Sequence, residues 1–185
     1  MDNIYKNDNE LIKLINSDIN NSNLYKLENK IIDFKLNEKA MPIKICLHPC
    51  SGKSYFVKKN GNRYNNIYLY DFDNYNFNDI RRQRNIFNKI KINKHSCLLG
   101  CYEDIDENDN IIDISVIILY SKLIENYKSR LLTNYIGWRN LNKILESRNK
   151  LIKNSIKYNL PIFISIIDAL DFIIKNYCLN KLTIK

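Results

Sequence analysis

A chain of 185 residues with 29 Lys and Arg against 20 Asp and Glu carries a formal charge of +9 and has the size of one domain with one core. Its 45% hydrophobic and 26% charged residues are ordinary for a globular chain. The two longest apolar runs, 111–120 and 161–174, are interrupted by Asp113, Asp168 and Asp171 and are too short for a bilayer span of about 20 residues. The N-terminal MDNIYKNDNE also lacks the basic and apolar regions of a signal peptide, so a soluble, cytoplasmic protein is expected. The positive balance favours an anionic partner. Saturation with Asn, Ile, Lys and Tyr, all written by AT-rich codons, supplies a compositional cause for the same excess.

In chain order, ELIKLINSD over 9–17 places Leu11, Ile12, Leu14 and Ile15 at helical spacing. Residues 18–40 are polar, with Ile31 and Ile32 suggesting a turn or a short strand. A strand follows over 42–47, then a tight loop and a brief helix over 53–59 that Asn60-Gly61-Asn62 stops. A second strand over 66–72 alternates Ile67, Leu69 and Asp71 against Tyr68, Tyr70 and Phe72. A basic helix capped by Asn78 or Asp79 is predicted over 78–91, and further strands over 96–102 and 113–119. Helices are expected over 121–133 and 138–158, a last short strand over 161–165, and a final helix over 167–177 opened by Ser165-x-x-Asp168.

The alternation of strand and helix predicts an α/β protein, a mostly parallel sheet with helices on both faces. One link resists. Only about ten residues, YEDIDENDNI, separate the third and fourth strands, whereas a parallel crossover usually needs a dozen or more. An antiparallel hairpin with an acidic turn is the alternative there. A calcium loop starting at Asp104 is excluded, because its sixth position is Asp109 rather than Gly and its twelfth is Ser115 rather than Glu.

The segment PIKICLHPCSGKSYFV over 42–57 carries the chemistry: an apolar strand, a loop closing on Ser51-Gly52-Lys53-Ser54, and a helix start. Gly52 lets backbone approach a phosphate without a Cβ, and the amides that open the helix point at the anion. Lys53 is placed to reach terminal phosphates, and the Ser54 hydroxyl is a ligand for Mg²⁺. His48, Pro49, Cys50 and Ser51 complete the loop, with Pro49 fixing one φ and Ser51 able to bond within it. Leu47 stands where G-x-x-x-x-G-K-[ST] wants glycine, so a displaced or strained loop entry is expected.

Both histidines and four of the five cysteines fall in two short segments, Cys46, His48, Cys50 and His95, Cys97, Cys101. Their C-x-H-x-C and H-x-C-x₃-C spacings match no common zinc knuckle, which favours packed, reduced thiols over zinc.

Asp71 and Asp73, two residues apart at the carboxyl end of the second strand, point the same way at the edge where open α/β sheets bind ligands. One suits a base for an acceptor hydroxyl, the other a metal-positioning carboxylate. Glu103 and Asp104 are a rival pair in an acidic turn. Arg139 and Arg148, nine residues and about 13 Å apart along a helix, cannot both grip one phosphate, but a mobile segment could bring one over it. Arg130 is a further candidate for that role. Arg81, Arg82 and Arg84 suit an anionic acceptor, and Trp138 a stacked base or a packed helix entry.

HPCSGKS, a strand ending in D-x-D, VIILYSKLIENYKSRL, two spaced arginines and LPIFISIIDALDFI together resemble the small P-loop kinases over residues 42–177. The resemblance implies a three-layer P-loop kinase-like fold, with a mostly parallel five-stranded sheet over 41–185 and an N-terminal helical or irregular extension over 1–40. It implies ATP and Mg²⁺, and transfer of the γ-phosphate to a small-molecule or nucleotide acceptor. Lys53 and Ser54 are then the phosphate and metal contacts, with Asp71 beside the metal, Asp71 or Asp73 on the acceptor side, and Arg139 and Arg148 in the lid. The charge and the RRQR run admit a nucleic-acid end kinase, and Leu47 admits a non-catalytic P-loop domain that binds nucleotide or a partner protein.

Overall fold

The computed structural model describes residues 7–74, 95–101, 111–133 and 140–178. The chain runs α1 (Asp8–Ile15), α2 (Asp18–Leu36), β1 (Pro42–Leu47), α3 (Lys53–Lys59), β2 (Arg63–Tyr64) and β3 (Ile67–Asp71). After a 3₁₀ turn at Phe72–Asn74 come β4 (Ser96–Cys101), β5 (Ile112–Val116), α4 (Tyr120–Leu132), α5 (Leu141–Lys157), β6 (Ile162–Phe163) and α6 (Ile166–Cys178). The predicted basic helix over 78–91, with Arg81, Arg82 and Arg84, lies outside the described residues, as do Glu103, Asp104, Trp138 and Arg139. None of the described helices is long and apolar enough to cross a membrane.

These elements form an α/β protein around one six-stranded sheet in the order β2-β3-β4-β1-β5-β6, parallel except for β2. The hairpin considered for the third and fourth predicted strands does not occur. β4 and β5 lie on either side of β1 and both run parallel to it. All six residues of β1 are buried, as a central parallel strand requires. Ile43, Ile45 and Leu47 face the larger core with Leu99 of β4, Ile112, Ile114 and Val116 of β5, and apolar residues of α2, α3, α4 and α6. Cys46 turns the other way, against Leu11 of α1 and Leu151 and Ile152 of α5. Cys97 belongs to the larger core, so Cys46 and Cys97 pack on opposite faces of the sheet.

Two expectations need correction. Residues 18–36 form a single 19-residue helix rather than a turn or strand near Ile31. Its signal was present: Leu24, Leu27, Ile31 and Phe34 recur at three- and four-residue spacing and all meet the core. Asparagines at 20, 21, 23 and 29, poor helix formers, hid it. Tertiary packing outweighs propensity here, helped by Ser17, whose hydroxyl caps the Asn20 amide at 3.3 Å. The second correction is β2, an antiparallel addition at the sheet edge. Asn65 takes φ +50° in the turn that joins it to β3, a conformation asparagine tolerates.

The opposite edge is closed by a side chain. Asn20, buried in α2, accepts from Ile162 N at 2.8 Å and donates Nδ2 to Ile162 O at 3.3 Å and to Ile15 O at 2.8 Å. Its carboxamide thus pairs with β6 as another strand would. Asn20→Ala leaves a buried amide and carbonyl unpaired and is expected to cost about 2 kcal/mol in urea unfolding. Asn20→Asp is expected to do no better, because a carboxylate would then face two carbonyl oxygens.

Candidate functional site

β1 has β4 on one side and β5 on the other, yet the chain leaves it through α3 toward β3, whereas from β5 it leaves through α4 and α5 toward β6. Connections diverging from neighbouring strands open a crevice at their carboxyl ends, where ligands of open α/β sheets bind. Residues 48–52 occupy that place. Leu47, the departure from the motif, is the last residue of β1, in register with Cys101 and Val116. The left-handed conformations fall instead on Cys50, φ +64°, and Gly52, φ +87°. The loop entry therefore asks nothing of Leu47 that a leucine cannot give. At Gly52 conformation rather than space is the requirement, since an added Cβ would meet only Asn126 Nδ2, at 3.8 Å. Cys50 bears the unusual φ with its thiol buried, and burial pushes that thiol up, the Arg130 charge offsetting part of the effect.

Asn126 of α4 donates to Cys50 O at 2.9 Å and so ties the loop to that helix. α4 is itself anchored from the N-terminal helix. Asp8 accepts from Tyr120 N, and from Ser121 N at 3.3 Å, taking the place of a local cap. Burial pushes the Asp8 carboxyl up, but these amides, the Ser121 hydroxyl and the Arg148 charge hold it below the usual carboxylate range. Sequence reasoning missed Asn126 and Asp8. One asparagine in an asparagine-rich chain and one acid in a first turn give no signal until the fold sets them against the loop and α4.

Lys53 is the centre of the charged cluster. Its Nζ lies 2.7 Å from Asp71 Oδ1 and 2.7 Å from Asp73 Oδ2. Asp71 is 3% exposed and receives the Asp73 amide at 3.0 Å. Burial pushes the Asp71 carboxyl up. The Lys53 and Ser54 hydrogen bonds, the Lys53 charge and the Asp73 amide outweigh it and hold the group below its usual 3.8. Asp73 is mostly exposed and stands in the Phe72–Asn74 turn, so the pair divides into a buried carboxylate and an open one. The loop lysine and serine and the D-x-D pair, predicted from segments some twenty residues apart, thus meet in one cluster.

Gly100 positions the open one. It takes φ +132°, and a Cβ there would lie 2.6 Å from Phe72 Cβ, inside contact distance of the turn that carries Asp73. Gly100→Ala is expected to displace this turn and destabilise the protein by about 3 kcal/mol, read by urea unfolding.

The remaining predicted residues are placed otherwise. His48 is buried, and its Nδ1 lies 2.8 Å from Pro49 O. A carbonyl can only accept, so Nδ1 carries the proton and Nε2, which has no hydrogen-bond partner among the described residues, is a bare acceptor. Burial lowers this imidazole to about 4, with the Pro49 carbonyl opposing and the Arg148 charge adding to the shift, so it is neutral at pH 7. Arg148 is not on a surface segment but fully buried in α5. Nε and Nη2 donate to Ile118 O at 3.2 and 3.1 Å, just beyond the carboxyl end of β5. This fixed guanidinium cannot swing as a lid arginine would; it sets the charge behind the loop. Arg130, on α4 with Asn126, is the arginine whose charge reaches Cys50.

The oxygen donors Ser54, Asp71 and Asp73 suit a hard cation such as Mg²⁺, which needs few protein ligands when phosphates and water supply the rest. Among the described residues no three His, Cys, Asp or Glu side chains gather into a metal-holding group. Comparison with protein-family models, with curated proteins and with solved structures finds no match to this chain.

Proposed function

We propose that the protein is an ATP-dependent phosphotransferase of the P-loop kinase type, acting on a small-molecule or nucleotide acceptor. The observation that carries the reading is Lys53 Nζ at 2.7 Å from both Asp71 and Asp73, directly after the loop glycine and at the carboxyl ends of parallel strands. The loop from His48 to Ser54 would hold the phosphates of ATP, and Ser54 with Asp71 would hold Mg²⁺. When bound, ATP supplies the phosphoryl group.

The chain's own residues divide the work by exposure and charge. Lys53 is the cation at the head of α3. With only seven residues that helix has a short dipole, so the ammonium does most of the neutralising. Asp71 is held ionised by its neighbours and suits the metal side. Asp73, open to solvent, is the carboxylate an acceptor hydroxyl can reach and the one suited to take its proton. Arg130 stands near the loop for further charge stabilisation.

The test is thermal unfolding with and without Mg-ATP. Ligand at 100 times its dissociation constant adds about 2.7 kcal/mol to the folded state. A raised Tm followed by phosphate transfer in a screen of nucleosides, sugars and small acids supports the reading. An unchanged Tm at millimolar Mg-ATP rejects it.

A further inference from the structure

We propose that the outer face of α3 and the turn after it form a binding surface for single-stranded nucleic acid. Residues 39–70 contain six Lys and Arg and no Asp or Glu. A lysine-rich composition raises cations throughout a chain, but it does not clear carboxylates from one run of it. α3 buries Phe56 and Val57 and turns Tyr55, Lys58 and Lys59 outward, at the three- and four-residue spacings that share one helix face. The Tyr55 ring is 72% exposed immediately after Ser54.

Asn60 closes the helix by donating Nδ2 to Phe56 O at 2.8 Å, and the chain turns at once to Arg63. Arg63 is exposed and held in place: its guanidinium lies 5.2 Å over the Tyr68 ring, and Nε donates to Asn65 O at 2.9 Å. Of the nearby carboxylates, Asp171 accepts from the Tyr64 hydroxyl at 2.8 Å, and the Asp168 charge also acts on Tyr64. Tyr64 alternates with Arg63 along β2 and so points to the other face of the sheet.

Three cations beside an exposed ring are what a single strand requires, charges for its phosphates and a flat apolar surface for an unpaired base. A duplex keeps its base faces stacked and would leave Tyr55 unused. The inference stands apart from the reading of the phosphate loop.

The test is fluorescence anisotropy of a 20-nucleotide single-stranded oligonucleotide with the full chain between 50 and 200 mM salt. Binding is expected with a log–log salt slope of about −2, three phosphate contacts at about 0.7 each. Lys58→Glu with Lys59→Glu should weaken binding by more than tenfold and cut the slope to about −0.7. Tyr55→Ala should weaken binding about tenfold with the slope unchanged, because it removes stacking and not charge. All three positions are exposed, and circular dichroism confirms that each variant is folded. No binding by wild type at 50 mM salt overturns the proposal, as does a Lys58/Lys59 variant that binds like wild type. Indifference to Tyr55→Ala together with equal binding to anionic phosphatidylserine vesicles also overturns it, by reducing the effect to general attraction between a +9 chain and any polyanion.

Discussion

Lys53→Ala is expected to abolish stabilisation by Mg-ATP and, separately, to lower the stability of the free protein by about 3 kcal/mol. The two effects have different origins. On the proposed reading the ammonium is the main cation for the ATP phosphates, so the gain of about 2.7 kcal/mol at saturating ligand should disappear with it. The stability loss comes from Asp71, a carboxylate 3% exposed that is left without its ion partner. The contact to Asp73 adds less than about 1 kcal/mol, because that carboxylate is 62% exposed and water replaces the lysine. Lys53→Ala combined with Asp71→Asn removes both charges and should recover most of the stability without recovering the response to Mg-ATP. That pattern separates a binding role from a structural one. If the double variant is no more stable than Lys53→Ala, the buried pair is not the source of the loss.

The same pair fixes a pH dependence. Asp71 has its folded value depressed below 3.8, so its contribution is fully present above that value and is lost as pH falls through the lower folded one. Urea unfolding of wild type should show this loss as pH falls from about 4 toward about 2. In Lys53→Ala the carboxyl moves up and the loss over the same range should shrink.

Arg148→Met is expected to destabilise the protein by about 3 kcal/mol, the second large effect. Two charge-assisted hydrogen bonds to Ile118 O disappear, the Asp8 carboxylate loses a neighbouring cation, and a fully buried position is repacked. Arg148→Lys keeps the charge but not the fork that reaches one carbonyl with two nitrogens, and should recover less than half of the loss. A lid arginine behaves in the opposite way. It sits in water, and its removal lowers turnover while stability stays within about 0.5 kcal/mol. Chemical unfolding of the two variants therefore decides between an arginine that moves over a ligand and one built into the floor behind the loop.

Most elements were legible because their signals are local. Strand 42–47, helix 53–59 and the Ser165 cap depend on runs and spacings inside a few residues, and Ser165 Oγ does accept the Asp168 amide at 3.0 Å. The loop lysine and serine and the aspartate pair were also legible, each from its place after a strand. α2 was missed because its four core contacts are spread over the eleven residues 24–34 of a polar, asparagine-rich helix. Arg148 was misread because nothing in ESRNK tells a buried arginine from a solvated one. Burial is decided by Ile118, thirty residues away in sequence.

By itself, then, the sequence determined the alternation of strands and helices, the loop, and the chemical types gathered at it, since each follows from the period of apolar residues or the torsions of glycine and proline. Only the tertiary structure decided the strand order, which lays β4 and β5 on the two flanks of β1, and the seating of Lys53 between one buried and one open carboxylate. It alone decided that Asn20 closes a sheet edge and that Asp8 holds the helix supporting the loop. Those outcomes depend on which distant groups share a desolvated space, where an unpaired amide or charge is costly, and no local pattern records that.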